Sequence, residues 1–316
     1  MRELEFLEII KNKLTDSSLI GDDCAYLEDF DMYITQDTLV EDVHFTKYTI
    51  KPYQLGRKAV SVNLSDLAAA LAAPKFISVS LSLPKDIKNS YVEEIYRGIN
   101  DVCTQHGVKV TGGDITGGDK IVISITALGK RHSIFASSRK YAKKDDLIVV
   151  TGDFGSSAAG LYALSQFLYC DEELIEKHLN PTPRTEEAKK LANLTDSDIA
   201  VMDTSDGLID ALYKTALASK HSMKVDFEKV PVSNKVINFC EKNELDYKDF
   251  VKWGGEDYEL LICMSESLYS KLNHDEFKCI GTVCNKDNSP SVIINDEGET
   301  LRITKEVFEK NSFNHF

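Results

Sequence analysis

The sequence predicts a mixed α/β or α+β protein built as two domains. Short apolar runs rich in Val and Ile alternate with longer segments of helical period along nearly the whole chain, the pattern of strands interleaved with helices. The 316 residues, at roughly 150 per domain, amount to about two domains. A polar, basic stretch at 130–146 separates two such mixtures and sets the expected boundary, 1–137 against 138–316.

Taken in order, short runs at 32–38, 76–83, 108–111 and 121–128 read as strands. Between them 52–72 and 91–106 read as helices, the second placing Tyr91, Ile95, Ile99 and Val102 on one stripe. After the basic stretch a strand at 147–151 opens the second half. Helices follow at 156–167, 185–193 and 208–220, with strands at 199–203, 258–264 and 292–295. No short-period repeat is present, which argues against solenoids and propellers.

Composition narrows the partners. With 42% apolar and 28% charged residues the chain matches ordinary soluble domains. Lys plus Arg at 37 against Asp plus Glu at 51 gives a formal charge of −14 with no basic patch, so neither a nucleic acid nor an anionic membrane is an expected partner. The seven cysteines are scattered and form no CxxC pair, which suits reduced thiols in a cytoplasm. The N-terminus is acidic and amphipathic, unlike a signal peptide. The longest uncharged stretch, 154–170, is shorter than the roughly 20 apolar residues of a spanning helix.

Several acidic residues stand where solvated faces do not explain them. Asp66 lies in Val62-Asn63-Leu64-Ser65-Asp66-Leu67-Ala68-Ala69-Ala70, with Val62 and Ala70 one helical turn away on either side. Such a carboxylate must be paired, hydrogen-bonded or bound to a cation. Gly21-Asp22-Asp23 precedes a strand, while Asp37 and Gly112-Gly113-Asp114 follow strand-like runs. Each alone reads as a turn; together with Asp66 they describe an oxygen-only site of the kind Mg²⁺ prefers. In the second half the run 199–203 opens through Asp203-Thr204-Ser205-Asp206-Gly207 into a helix. Ser205 or Asp206 serves there either as a helix cap or at a phosphate-binding helix start. Trp253-Gly254-Gly255-Glu256-Asp257 offers two acids after two glycines, where backbone can approach a ligand closely. Gly152-Asp153-Phe154-Gly155 reads as a tight turn in preference to a phosphate cradle. The chain has no GxxxxGK[ST] loop, protein-kinase catalytic loop, intact GxGxxG, HExxH or GxSxG.

These segments, in this order, resemble the thiamine-monophosphate kinases, a family grouped with aminoimidazole ribonucleotide synthetase, selenophosphate synthetase and a hydrogenase-maturation protein. The resemblance runs through Gly21-Asp22-Asp23, Thr35-Gln36-Asp37-Thr38 to Val43-His44-Phe45, Asn63-Leu64-Ser65-Asp66-Leu67, Gly112-Gly113-Asp114, Ser205-Asp206-Gly207-Leu208 and Gly254-Gly255-Glu256-Asp257-Tyr258. It implies an aminoimidazole ribonucleotide synthetase-like fold, with an N-terminal mixed-sheet domain that pairs with its copy in a homodimer, a C-terminal α/β domain, and the active site in the cleft between the two domains. It also implies transfer of the ATP γ-phosphoryl group to thiamine monophosphate. By resemblance Asp23, Asp37, Asp66, Asp114, Asp203 and Asp206 hold several Mg²⁺ ions, with Thr35 and Gln36 beside them. Gly113, Asp114, Arg139 and Ser205 contact ATP, and His44, Glu256 and Phe313 contact the thiamine substrate. The chain departs from the family in having Gln36 for a hydroxyl residue, Leu71 for a common Gly, Ile115 for a Thr, and Lys144-Asp145 for a Pro-Gly pair. The acceptor phosphate is already ionised near neutral pH, so no protein base is expected and none is assigned. Two polyanions must meet on an acidic protein, so metal ions must neutralise them.

Overall fold

The computed structural model describes residues 2–312, with side chains from residue 5. Phe313 therefore lies outside the described residues. The first half runs α1 (Arg2–Lys13), β1 (Ala25–Leu27), β2 (Met32–Val40), α2 (Pro52–Ala69), β3 (Ala72–Leu83), α3 (Asn89–His106), β4 (Lys109–Gly117) and β5 (Val122–Arg131). Its strands form one sheet in the order β1-β2-β5-β3-β4, antiparallel except where β3 meets β4. That parallel pair is joined by α3, the crossover such pairing requires.

Alternation along β2 buries Tyr33, Thr35 and Leu39 and exposes Gln36, so one face of the sheet is covered and the other is polar. Helix α2 starts at Pro52, whose fixed φ and missing N–H suit a first turn. It is buried on most sides because the sheet, α3 and the second half of the chain all pack against it. Two glycines let α2 and α3 touch: a Cβ on Gly56 would lie 2.0 Å from the Ile95 carbonyl oxygen, and one on Gly98 would lie 2.0 Å from that of Tyr53.

The second half runs β6 (Leu147–Thr151), α4 (Ser156–Gln166), α5 (Glu172–Leu179), α6 (Thr185–Leu194), β7 (Ala200–Asp203), α7 (Leu208–Ser219), β8 (His221–Asp226), α8 (Asn234–Lys242) and α9 (Tyr247–Trp253). It continues through β9 (Leu260–Met264), α10 (Glu266–Tyr269), β10 (Phe277–Lys286), β11 (Val292–Asp296), β12 (Glu299–Ile303) and α11 (Lys305–Asn311). These strands form a second mixed sheet, β12-β11-β8-β10-β6-β9-β7. Each half has its own core, around Leu64, Ile77 and Ile123 in the first and Ile148, Leu212 and Val225 in the second. A third apolar cluster joins them, where Ala68, Ala69 and Leu71 at the end of α2 pack with Leu191, Val201 and Leu260.

The predicted strand and helix at 147–151 and 185–193 match β6 and α6 closely. Other bounds differ for physical reasons. The helix predicted to residue 72 stops at Ala69, because Leu71 takes a left-handed backbone with φ 52°. The strand predicted at 108–111 continues to Gly117 as β4, through a glycine-rich, exposed segment that shows no apolar alternation. Helices α5, α8 and α9 are only 8, 9 and 7 residues long, and β10 buries Phe277, Ile280 and Val283 without strict alternation, so these elements and β8 went unpredicted.

Candidate active site

The six predicted aspartates divide into a group that converges and one that stands apart. Asp23, Asp66 and Asp203 come from the loop before β1, from α2 and from the end of β7. One carboxylate oxygen from each lies within 4.8 Å of the other two. The strand period turns Thr35 and Asp37 toward α2. There Thr35 donates to Asp66 Oδ2 at 2.6 Å, and the Asp37 amide donates to Asn63 at 3.0 Å. Ser65, the neighbour of Asp66, donates across the interface to Asp203 Oδ2 at 2.7 Å. Consecutive residues of α2 thus reach both halves of the chain, Asp66 accepting from Thr35 in the first and Ser65 donating to Asp203 in the second. Asp206 follows in the loop after β7.

Burial raises the proton affinity of these acids, and their neighbours add to it. Asp23 and Asp203 are pushed up to about 7 and Asp37 to about 6, while Asp66 rises well above its ordinary value. Besides burial, Asp203 raises Asp23, Asp37 raises Asp203 and Asp66, and Asp206 raises Asp37. Two basic residues offset part of this repulsion. Arg139 reaches Asp22 Oδ1 at 3.3 Å and pairs with Asp23, and Lys214 pairs with Asp206 at 2.9 Å and Asp210 at 2.7 Å. Neither Ser205 nor Asp206 caps α7; the cap position is Gly207, with no side-chain bond to the helix. A hard, oxygen-only donor set at mutually repelling distance fits a divalent cation such as Mg²⁺.

Gln36 and Asp114 are not brought into this cluster. Gln36 is exposed and accepts from Thr126 at 2.8 Å, on the sheet face away from Asp66. Asp114 on β4 is level with Ser80 on β3, which is level with Ser124 on β5. It is three strand spacings of about 4.8 Å from β2. Gly113 lies beside it on the same exposed strand. The reason is the strand order: β4 is the edge opposite β1, which no motif in the sequence declares.

A second group surrounds Glu256. Lys58 Nζ donates to Glu256 Oε2 at 3.1 Å, and His178 Nδ1 lies 3.1 Å from the same oxygen. Against burial, the Lys58 charge and the His178 contact hold the Glu256 carboxyl down to about 2. The Glu256 amide donates to the Ser205 carbonyl at 2.7 Å, tying this loop to the one that carries Asp206. The glycines here serve that contact: a Cβ on Gly207 would lie 2.6 Å from the Gly254 carbonyl oxygen. His44 follows β2, and its Nδ1 accepts from the Val40 amide at 3.0 Å. Trp253 packs against the second core. The loop before α4 is occupied as a turn, since Asp257 accepts from the Gly155 amide at 2.8 Å and the Ser157 amide at 3.1 Å. Lys58, His178 and Lys214 were not singled out in the sequence. A lysine inside the apolar helix stretch around Ala59 and Val60 was the available signal for the first.

The family model described as AIR synthase related protein, N-terminal domain, matches residues 21–131. A thiamine-monophosphate kinase of Aquifex aeolicus is 37% identical over 82% of this chain and 84% of its own length. One from Buchnera aphidicola is 34% identical over 97% and 94%. Among solved structures, AaThiL complexed with AMPPCP and TMP superposes with a TM-score of 0.84 at 32% identity, covering 96% of this chain and 98% of that one.

Proposed function

We infer, because the chain belongs to the thiamine-monophosphate kinase family, that it transfers the γ-phosphoryl group of ATP to thiamine monophosphate, giving thiamine diphosphate and ADP. It is an ATP-dependent phosphotransferase with a phosphate acceptor. The observation that carries the chemistry is the cluster of Asp23, Asp66 and Asp203 oxygens within 4.8 Å of one another.

The reaction uses several Mg²⁺ ions held by Asp23, Asp37, Asp66, Asp203 and Asp206, with the Thr35 oxygen beside them. When bound, Mg²⁺ neutralises the polyphosphate and the acceptor phosphate so that the two can meet. The chain's own residues prepare that site. Thr35 and Ser65 orient Asp66 and Asp203 through their hydroxyls. Arg139 and Lys214, now paired with Asp23 and Asp206, are positioned to exchange those partners for phosphate oxygens. Arg139 and Ser205 serve ATP in this reading, and His44, Glu256 and Phe313 serve the thiamine part. No side chain need remove a proton, because the acceptor oxygen is ionised near neutral pH.

The position of Asp114 supports a homodimer. Residues of β4 are exposed throughout, including Ile115 at 65%, and an uncovered sheet edge of this kind is a template for pairing with a second chain. In a dimer through this edge, Gly113, Asp114 and Gln36 would serve ATP and metal from the polar sheet face. The domain division at 1–137 and 138–316 is supported by strands confined to 25–131 and 147–303, with the active site in the cleft between. A cytoplasmic location agrees with seven free cysteines. Among the described residues no helix is long and apolar enough to cross a membrane.

Phosphorus NMR of the protein with ATP, MgCl₂ and thiamine monophosphate tests the assignment. Thiamine diphosphate should appear with ADP, and only with magnesium. ADP with free phosphate alone would indicate another acceptor, and an unchanged spectrum would indicate binding without chemistry.

A further inference from the structure

Lys58 is a lysine with 1% of its side chain exposed, a burial that lysine seldom tolerates without a strong partner. Its partner is Glu256, from the other half of the chain, at 3.1 Å. His178, on α5 and also buried, lies 3.1 Å from the same Glu256 oxygen and 3.2 Å from Ser157 Oγ. Two elements that share no local sequence, α2 and α5, therefore converge on Oε2, while the Glu256 side chain keeps 23% exposure. Replacing a buried ion pair by apolar packing is often neutral or favourable for stability, so stability alone does not account for a charge placed here. What the arrangement does achieve is a carboxylate that is ionised, restrained in rotamer and still open on one side. Its backbone, at φ 65°, is tied to Ser205 by the amide bond described above.

We propose that Lys58 and His178 are positioning residues that hold Glu256 as a fixed anion for the cationic thiamine part of the substrate, setting affinity for that substrate without taking part in phosphoryl transfer. This rests on the reading that Glu256 contacts the thiamine part. Steady-state kinetics on the full chain separate the two statements. Glu256→Gln should raise KM for thiamine monophosphate about tenfold or more with KM for ATP unchanged, the loss of one charge-assisted contact. Lys58→Met should reproduce that rise, and Lys58→Met with Glu256→Gln should be no worse than Glu256→Gln alone. His178→Gln provides the same reading should Lys58→Met fail to fold, and is expected to raise KM for thiamine monophosphate selectively. If Glu256→Gln leaves KM for thiamine monophosphate unchanged, the reading of Glu256 falls and the proposal with it. If Glu256→Gln raises it but Lys58→Met or His178→Gln does not, or if either lowers kcat and raises both KM values alike, the positioning role is overturned while the reading of Glu256 stands.

Discussion

Asp66 illustrates what one side chain contributes to this site and what it costs. It is half-buried, it accepts from Thr35, and its desolvation plus the charges of Asp37, Asp203 and Asp23 raise its proton affinity. The same repulsion that disfavours the metal-free carboxylate favours a bound cation. Asp66→Asn is expected to lower turnover roughly 100-fold or more, with an unchanged far-ultraviolet circular dichroism spectrum. In chelator its melting temperature should equal or exceed that of the wild type, because a repelling charge is gone; a clear fall would show that Asp66 is a structural residue. Glu256 behaves oppositely. Burial would raise its carboxyl, yet Lys58 and His178 bring it from 4.5 down to about 2. Its folded value lies below its unfolded one, so its contribution to stability is present above pH 4.5 and lost as pH falls toward about 2. Glu256→Gln should flatten that limb of the acid-unfolding curve measured by fluorescence.

Among the elements, α2 carries the most. It packs on the first sheet, meets α3 through Gly56 and Gly98, supplies Lys58, Ser65 and Asp66 to the site, and ends in the cluster joining the two halves. Gly98→Ala would force a methyl against the Tyr53 carbonyl and should destabilise the fold by about 1–3 kcal/mol in urea unfolding. Two departures from the family pattern are also explained at this scale. Leu71 and Asp145 stand where glycine is common, and both keep positive φ, 52° and 70°. Both adopt the left-handed conformation that glycine takes at no steric cost. Leu71→Gly would relieve the backbone but empty a site only 1% exposed, for a net loss of about 2–4 kcal/mol.

For the whole molecule, the separation of Asp114 from the other aspartates makes assembly the decisive question. Ile115→Lys on the exposed β4 edge should convert a dimer to a monomer by light scattering and lower activity with it. A wild-type monomer with full activity would remove the dimer from the mechanism. Removing metal with EDTA should abolish turnover and restoring MgCl₂ should recover it.

Much of the site was legible in the sequence because its chemistry is concentrated in short motifs. Asp23, Asp37, Asp66 and Asp203 are each conspicuous in the sequence as acids at strand ends or in an apolar helix, and the structure gathers them, although it places Asp37 inside β2, which continues to Val40. Short apolar runs likewise declared β6 and β9, and helical period declared α2 and α3, since burial of a periodic face is a local property of sequence. Contacts between distant segments were decided only by tertiary structure. The reach of Lys58 to Glu256 spans 198 positions, the bond from Ser65 to Asp203 spans 138, and the placing of Asp114 on the far edge follows from strand order. The sequence determined which residues have the chemistry to bind metal and phosphate. Which of them meet was decided by the packing of two sheets around α2, because a pair interaction depends on distance in space and periodicity reports only on neighbours along the chain.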